Sequence, residues 1–211
     1  MLDQGDFIRL AYTPDLTAAG IAYARQQRPS PALHSPQAIR QRFQQLVLDK
    51  AVELAFRRYL DEQPVPYDTV PGTAFGSPAA HYLRLGGWRC NVISCWIDQP
   101  EIVRQVLAQP ACLLQAAALL SSQRVVAWVP GERDVYIFTY ILSSIPESEG
   151  RTLHAETIFL PGCISHPEYA RRSRRLPPGS QVFPAQQARQ MTRILLVSEL
   201  HPLQELLSPQ K

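Results

Sequence analysis

The sequence predicts an α/β fold in one domain, and three observations carry that prediction. Helical patterning fills the chain before residue 61, and a β-rich hairpin surrounds Gly86-Gly87. After a further helical stretch, two β-branched and aromatic runs follow near residues 124–142. Helix, hairpin, helix and strands in that order need a sheet with helices packed on it. At 211 residues a single hydrophobic core suffices. Hydrophobic residues make up 45% and charged ones 18%, enough apolar surface to fold independently.

Thr13-Pro14-Asp15 is a helix start: a capping side chain, proline at the first helical position and an acid in the first turn. The first helix should reach about Gln27. Arg28 to His34 is a proline-bearing linker, and Ser35-Pro36 starts a long helix to about Asp61. On it Leu46, Asp49, Glu53, Phe56 and Leu60 share one face. Glu53 therefore stands on a largely apolar stripe. It is either a carboxylate at the edge of the buried face, paired with an arginine or a backbone donor, or an active-site acid.

Gln63 to Ala80 is extended and proline-rich, with a short strand at Tyr67 to Val70. His81 to Asp98 is the hairpin, and both alternating sets of its second strand are mainly apolar, as expected of a central strand covered on both sides. A two-residue loop pairs Tyr82 with Asn91, and a three-residue loop pairs Leu83 with it. Asp98-Gln99-Pro100-Glu101 has the spacing of a capping box. The helix it opens carries Ile102, Val103, Val106 and Leu107, and Pro110 kinks or restarts it before an Ala/Leu-rich run to Leu120. Strands are expected at Arg124 to Val129 and Asp134 to Leu142, then at Thr152 to Leu160, ended by Pro161-Gly162. Ser165-His166-Pro167-Glu168 repeats the box and opens a short helix expected to hold Arg171, Arg172, Arg174 and Arg175. A strand at Arg193 to Val197 and a short helix or turn from Pro202 to Leu207 close the chain.

Charge and composition narrow the function classes. A net charge of +3 permits a polyanionic partner without demanding one. Four cysteines without CxxC spacing point to neither a zinc site nor a disulfide framework, and a reducing cytoplasm is the expected location. The acidic N-terminus and the absence of a long apolar run argue against secretion and membrane insertion. No P-loop, GxGxxG or GxSxG pattern occurs. His154 and Glu156 share one side of their expected strand but lack a third ligand, so a solvated strand face is the simpler reading. His81 would join the Asn91 face under a three-residue loop. Four arginines at residues 171–175 suit phosphate oxygens, so DNA or RNA is a candidate partner; the alternative is a solvated helix end opposing the helix dipole.

The order helix, turn-rich extended stretch, hairpin, helix, strand, strand over Pro36 to Leu142 resembles the core of the PD-(D/E)XK nuclease superfamily, the restriction-endonuclease-like fold. The resemblance implies a central mixed sheet flanked by helices, with residues 1–35 as an N-terminal helix and linker and 143–211 as a small C-terminal α+β extension. It also implies a Mg²⁺ site: an Asp and a (D/E)xK triplet on the hairpin, often with a Glu from the preceding helix, polarise a phosphate and activate water. Here Asn91 and Ile93 stand in place of the triplet's acid and lysine, and Tyr82 or Leu83 in place of the other acid; Glu53 alone matches. A rebuilt site would have to draw on Glu53, Asp68 and Asp98. The expected protein is a catalytically inactive relative that binds nucleic acid or assembles a complex. The alternatives are a Mg²⁺-dependent nuclease with relocated carboxylates and a homo-oligomeric structural protein.

Overall fold

Ten consecutive buried residues, Asp134–Ser143, form the strand around which the other elements are laid. Valine, isoleucine, phenylalanine and tyrosine fill both of its alternating faces, so it is stable only between two covering layers. The computed structural model describes residues 2–27, 36–69, 82–121, 133–143, 155–183, 186–187 and 192–208.

In chain order the elements are β1 (Ile8–Ala11), α1 (Pro14–Gln26), α2 (Pro36–Glu62), β2 (Tyr67–Thr69), β3 (Tyr82–Leu85), β4 (Trp88–Ile97) and α3 (Pro100–Ala108). They continue with β5 (Ala117–Ser121), β6 (Asp134–Ser143), β7 (Ala155–Ser165), α4 (His166–Arg172), β8 (Arg174–Leu176), β9 (Gln181–Val182), β10 (Gln186–Gln187), β11 (Thr192–Leu196) and α5 (Leu203–Leu207). Six strands make the main sheet in the order β1-β7-β6-β4-β3-β2. Only β4 and β6 run parallel, and the segment between them, containing α3 and β5, provides the long crossover that parallel pairing requires. The fold is thus α/β, with a mixed central sheet flanked by helices.

Two apolar cores lie on opposite faces of this sheet. The first joins Leu48, Val52, Phe56 and Leu60 of α2 to Leu83, Leu85, Cys90, Val92, Ile137 and Leu160. The second joins Ile93, Tyr136, Phe138 and Phe159 to Val103 and Val106 of α3 and to Leu195 of β11. β5, β11 and β8 form a separate three-stranded sheet on this second side. No helix among the described residues is long and apolar enough to cross a membrane.

Several expectations are corrected. Thr13 does not cap α1 with its side chain; its hydroxyl accepts from Arg58, which also pairs with Asp15, tying α1 to α2. Asp98 caps nothing: α3 begins at Pro100 behind Gln99, and Glu101 turns to Arg104. The Ala/Leu run is not helical. Pro110–Gln115 is a 3-10 turn, and Ala117–Ser121 becomes a strand because β11 supplies a pairing partner that outweighs alanine's helix propensity. α4 ends at Arg172, so Arg174 and Arg175 belong to β8 rather than to a helix. β1, unanticipated, forms one edge of the main sheet.

Nor does Pro161-Gly162 end a strand: β7 runs through it to Ser165. The ladder to β6 shifts register there, between Phe138↔Gly162 and Tyr140↔Phe159, and pairing with β1 stops at Leu160. Pro161 therefore sits in a bulge where no ladder N–H is needed. At Gly162 a Cβ would stand 2.4 Å from the His201 carbonyl oxygen, so only glycine lets the C-terminal segment bridge to Cys163. The expected strand Arg124 to Val129, and His34, His81 and His154, lie outside the described residues, as does the side chain of Glu156.

Candidate functional site

The hairpin register decides where the candidate residues stand. Gly86 and Gly87 have φ of 53° and 83°, and this two-residue turn pairs Leu85 with Trp88 and Tyr82 with Asn91. Consecutive positive φ values are the geometry of a tight hairpin turn, which glycine adopts without steric cost. Leu83 consequently faces Cys90, and both are fully buried in the α2-side core. Asn91 and Ile93 are buried on the opposite face, Ile93 among the second core's residues, with Asn91 paired to Tyr136 and Ile93 to Phe138.

Glu53 does not join them. It lies on α2, which packs on the Leu83 and Cys90 face, and it is 5% exposed. Its carboxylate takes Lys50 Nζ at 2.9 and 3.0 Å and Arg57 at 3.2 Å, both on its own helix. This is the paired carboxylate at the edge of the buried face. Asp68 is exposed on β2, level through Arg84 with Arg89. Asp98 lies nine residues beyond Arg89 at the other end of β4, a separation of about 30 Å at strand rise. One ion cannot reach Glu53, Asp68 and Asp98 together. Among the described residues no group of three or more His, Cys, Asp or Glu side chains is placed to hold a metal. Glu53, Asp68 and Asp98 do not fit a Mg²⁺ centre.

What the register does assemble is a polar row. Asp68 pairs with Arg84, Arg84 with Arg89, and Arg89 with Asp134, so four ionisable side chains stand abreast on one face of β2, β3, β4 and β6. Arg89 is clamped: its Nε and Nη2 donate to the two carboxylate oxygens of Asp134, each at 2.6 Å, and its backbone N–H donates to the Arg133 carbonyl at 2.8 Å. Asp134 is fully buried, whereas the Arg89 side chain is 41% exposed. Val135 pairs with Ser165, which brings His166 to the next place in the row. His166 Nδ1 lies 2.7 Å from the hydroxyl of buried Tyr136, whose ring meets the His166 and Tyr169 rings edge-on. Burial pushes the His166 pKa below 6.5, with Asp134 opposing the shift and Arg193 adding to it.

A cleft of about 800 Å³ opens above this row at the hairpin tip, lined by Arg84, Arg89, Arg133, Asp68, Tyr67 and the two turn glycines. Arg84 and Arg133 are exposed. Arg84 and Arg89 sit symmetrically about Gly86-Gly87, a signal readable in the sequence once a two-residue turn is assumed. Asp134 and Arg133 join them only through the β4–β6 pairing.

The C-terminal arginines are dispersed. Arg172 pairs with Glu168 at 2.7 Å and with Glu199 at 3.7 Å. Arg171, Arg174 and Arg175 are exposed, and the last two alternate in direction along β8, opposite Ile194 and Arg193. The box at Ser165 is half formed, since its hydroxyl accepts from the Glu168 N–H at 3.4 Å. The Glu168 carboxylate instead takes Arg172 and His201 Nε2, the latter at 2.8 Å. Burial raises the Glu168 pKa, but these two partners outweigh it and the net shift is downward. Comparison of the chain with protein-family models, with curated proteins and with solved structures finds no match.

Proposed function

We propose that this chain is a non-catalytic member of the PD-(D/E)XK nuclease-like fold that acts as a nucleic-acid-binding or complex-assembly module. The observation that carries the reading is the burial of Asn91 and Ile93 within the sheet, with Glu53 on the opposite side. Where the resemblance calls for an acid and a lysine facing a phosphate, the chain offers a neutral amide and a hydrocarbon without access to solvent. Neutral ligands hold Mg²⁺ far more weakly than carboxylates do. The succession of α2, β2, the β3–β4 hairpin, α3 and β6 supports the fold part of the reading. The exposed guanidiniums of Arg171, Arg174 and Arg175 support the binding part.

A cleavage assay on single- and double-stranded DNA and RNA with Mg²⁺ and Mn²⁺ tests the first part, with Glu53→Ala controlling for contaminating nuclease. No cleavage is expected; cleavage abolished by Glu53→Ala overturns the reading. Binding is tested by titrating labelled duplexes at two salt concentrations. Affinity should fall as salt rises, and replacing Arg171, Arg174 and Arg175 by Gln should lower both affinity and the slope of log K against log salt, by up to about 0.9 for each phosphate no longer neutralised. Binding that ignores both salt and these substitutions would leave only the assembly role.

A further inference from the structure

We propose that the cleft at the hairpin tip binds a phosphate group between Arg84 and Arg133, beside the fixed Arg89–Asp134 pair. The inference is independent of the nuclease-like reading and of the Arg171–Arg175 surface. Arg84 and Arg89 are directly opposed across β3 and β4, an arrangement in which like charges repel. Asp134 holds Arg89 in place from below by both carboxylate oxygens. Arg84 and Arg133 form no ion pair among the described residues, and both are exposed on the cleft wall.

The turn adds access. Among the described residues a Cβ at Gly86 would meet nothing within 4 Å, and one at Gly87 would come nearest to a guanidinium nitrogen of Arg133, at 3.9 Å. Among the described residues, bare backbone thus leaves the approach to Arg133 open. Planar guanidinium forks match phosphate oxygens in geometry and charge. The row's carboxylates set the limits. Asp134 is committed to Arg89 and buried, while Asp68, exposed beside Arg84, opposes an anion and should weaken its binding. A small phosphorylated metabolite and the terminal phosphate of a nucleic acid share this chemistry.

The test is calorimetric titration of the full chain with pyrophosphate and with a single-stranded tetranucleotide carrying either a 5′-phosphate or a 5′-hydroxyl. Both phosphate probes should bind, about tenfold or more weakly in the Arg84→Gln/Arg133→Gln protein. Asp68→Asn should bind severalfold more tightly, and Arg104→Gln, which removes one positive charge on α3 away from the cleft, should bind as the wild type does. A preference for the 5′-phosphorylated tetranucleotide over the 5′-hydroxyl form identifies a nucleic-acid terminus as the ligand. Pyrophosphate binding without that preference identifies a small phosphorylated molecule. Absence of binding by either phosphate probe at millimolar concentration overturns the proposal, as does affinity unchanged by the paired arginine substitutions. An unaltered melting temperature certifies that those variants are folded. Should the double variant unfold, Arg133→Gln and Asp68→Asn carry the test, weakening and tightening binding respectively.

Discussion

Asp134 shows how much one side chain depends on its place in the sheet. It is fully buried and its two oxygens are taken by one guanidinium, so removing it leaves Arg89 beside a cavity with its counter-charge gone. A buried pair broken on one side costs several kcal/mol, but Arg89 is partly solvated and recovers some of that from water. Asp134→Ala should therefore lower stability by about 2 kcal/mol in urea denaturation, and Arg89→Ala/Asp134→Ala by less than the sum of the single changes.

His166 makes a pH prediction at the same scale. Its pKa is lowered in the folded chain by burial beside Tyr136, so the unfolded chain binds the proton more readily. Its contribution to stability is complete above the unfolded value near 6.5 and declines as pH falls through the depressed folded value. The melting temperature should fall between pH 7.5 and pH 5.5, and His166→Gln should flatten that dependence. An equally steep decline in the variant would assign the effect to another group.

At the scale of elements, β7 and the C-terminal segment are joined at Gly162. Gly162→Ala would push a methyl group to 2.4 Å from the His201 carbonyl oxygen and 3.1 Å from the Leu200 Cβ. The bridge between Cys163 and His201, two N–H···O bonds of 2.9 Å, would have to open or shift. A loss of about 2–3 kcal/mol in urea denaturation is expected, with faster amide exchange at Cys163 and His201. Leu203, which packs in the first core, would be released with the segment.

For the whole molecule, the main sheet is continuous across chain regions distant in sequence. β7 lies between β6 and β1, and β11 pairs with β5, so strands after residue 143 complete both larger sheets. A chain ending at residue 143 should fail to fold, with collapsed amide dispersion in its NMR spectrum. The thiols report the same cooperativity. Burial pushes the Cys163 pKa up to about 12 and that of Cys90 higher still, and both sit in the core. Cys95 and Cys112 are partly exposed. Cys90 and Cys163 should react with a thiol reagent only at the rate of global unfolding, after Cys95 and Cys112 have been labelled.

Local chemistry, carried by a few adjacent residues, is legible in the sequence alone. Pro14, Pro36 and Pro100 each begin a helix, because fixed φ and a missing N–H suit the first turn wherever it occurs. The Gly86-Gly87 hairpin and the doubly apolar strands β4 and β6 follow from turn chemistry and side-chain alternation. What the sequence could not decide was competition between distant partners. The Ala117–Ser121 stretch became a strand only because β11 was there to pair with it, and Pro161 continued a strand only because a bulge took up its missing donor. The candidate site divides in the same way. The absence of an acid and a lysine around Asn91 was written in the sequence, and so was the symmetry of Arg84 and Arg89 about the turn. The separation of Glu53 from Asn91 by a sheet, and the gathering of Arg133 and Asp134 beside that arginine pair, were decided by the tertiary structure. Strand order fixes which face a side chain meets, and strand order depends on contacts between residues far apart along the chain.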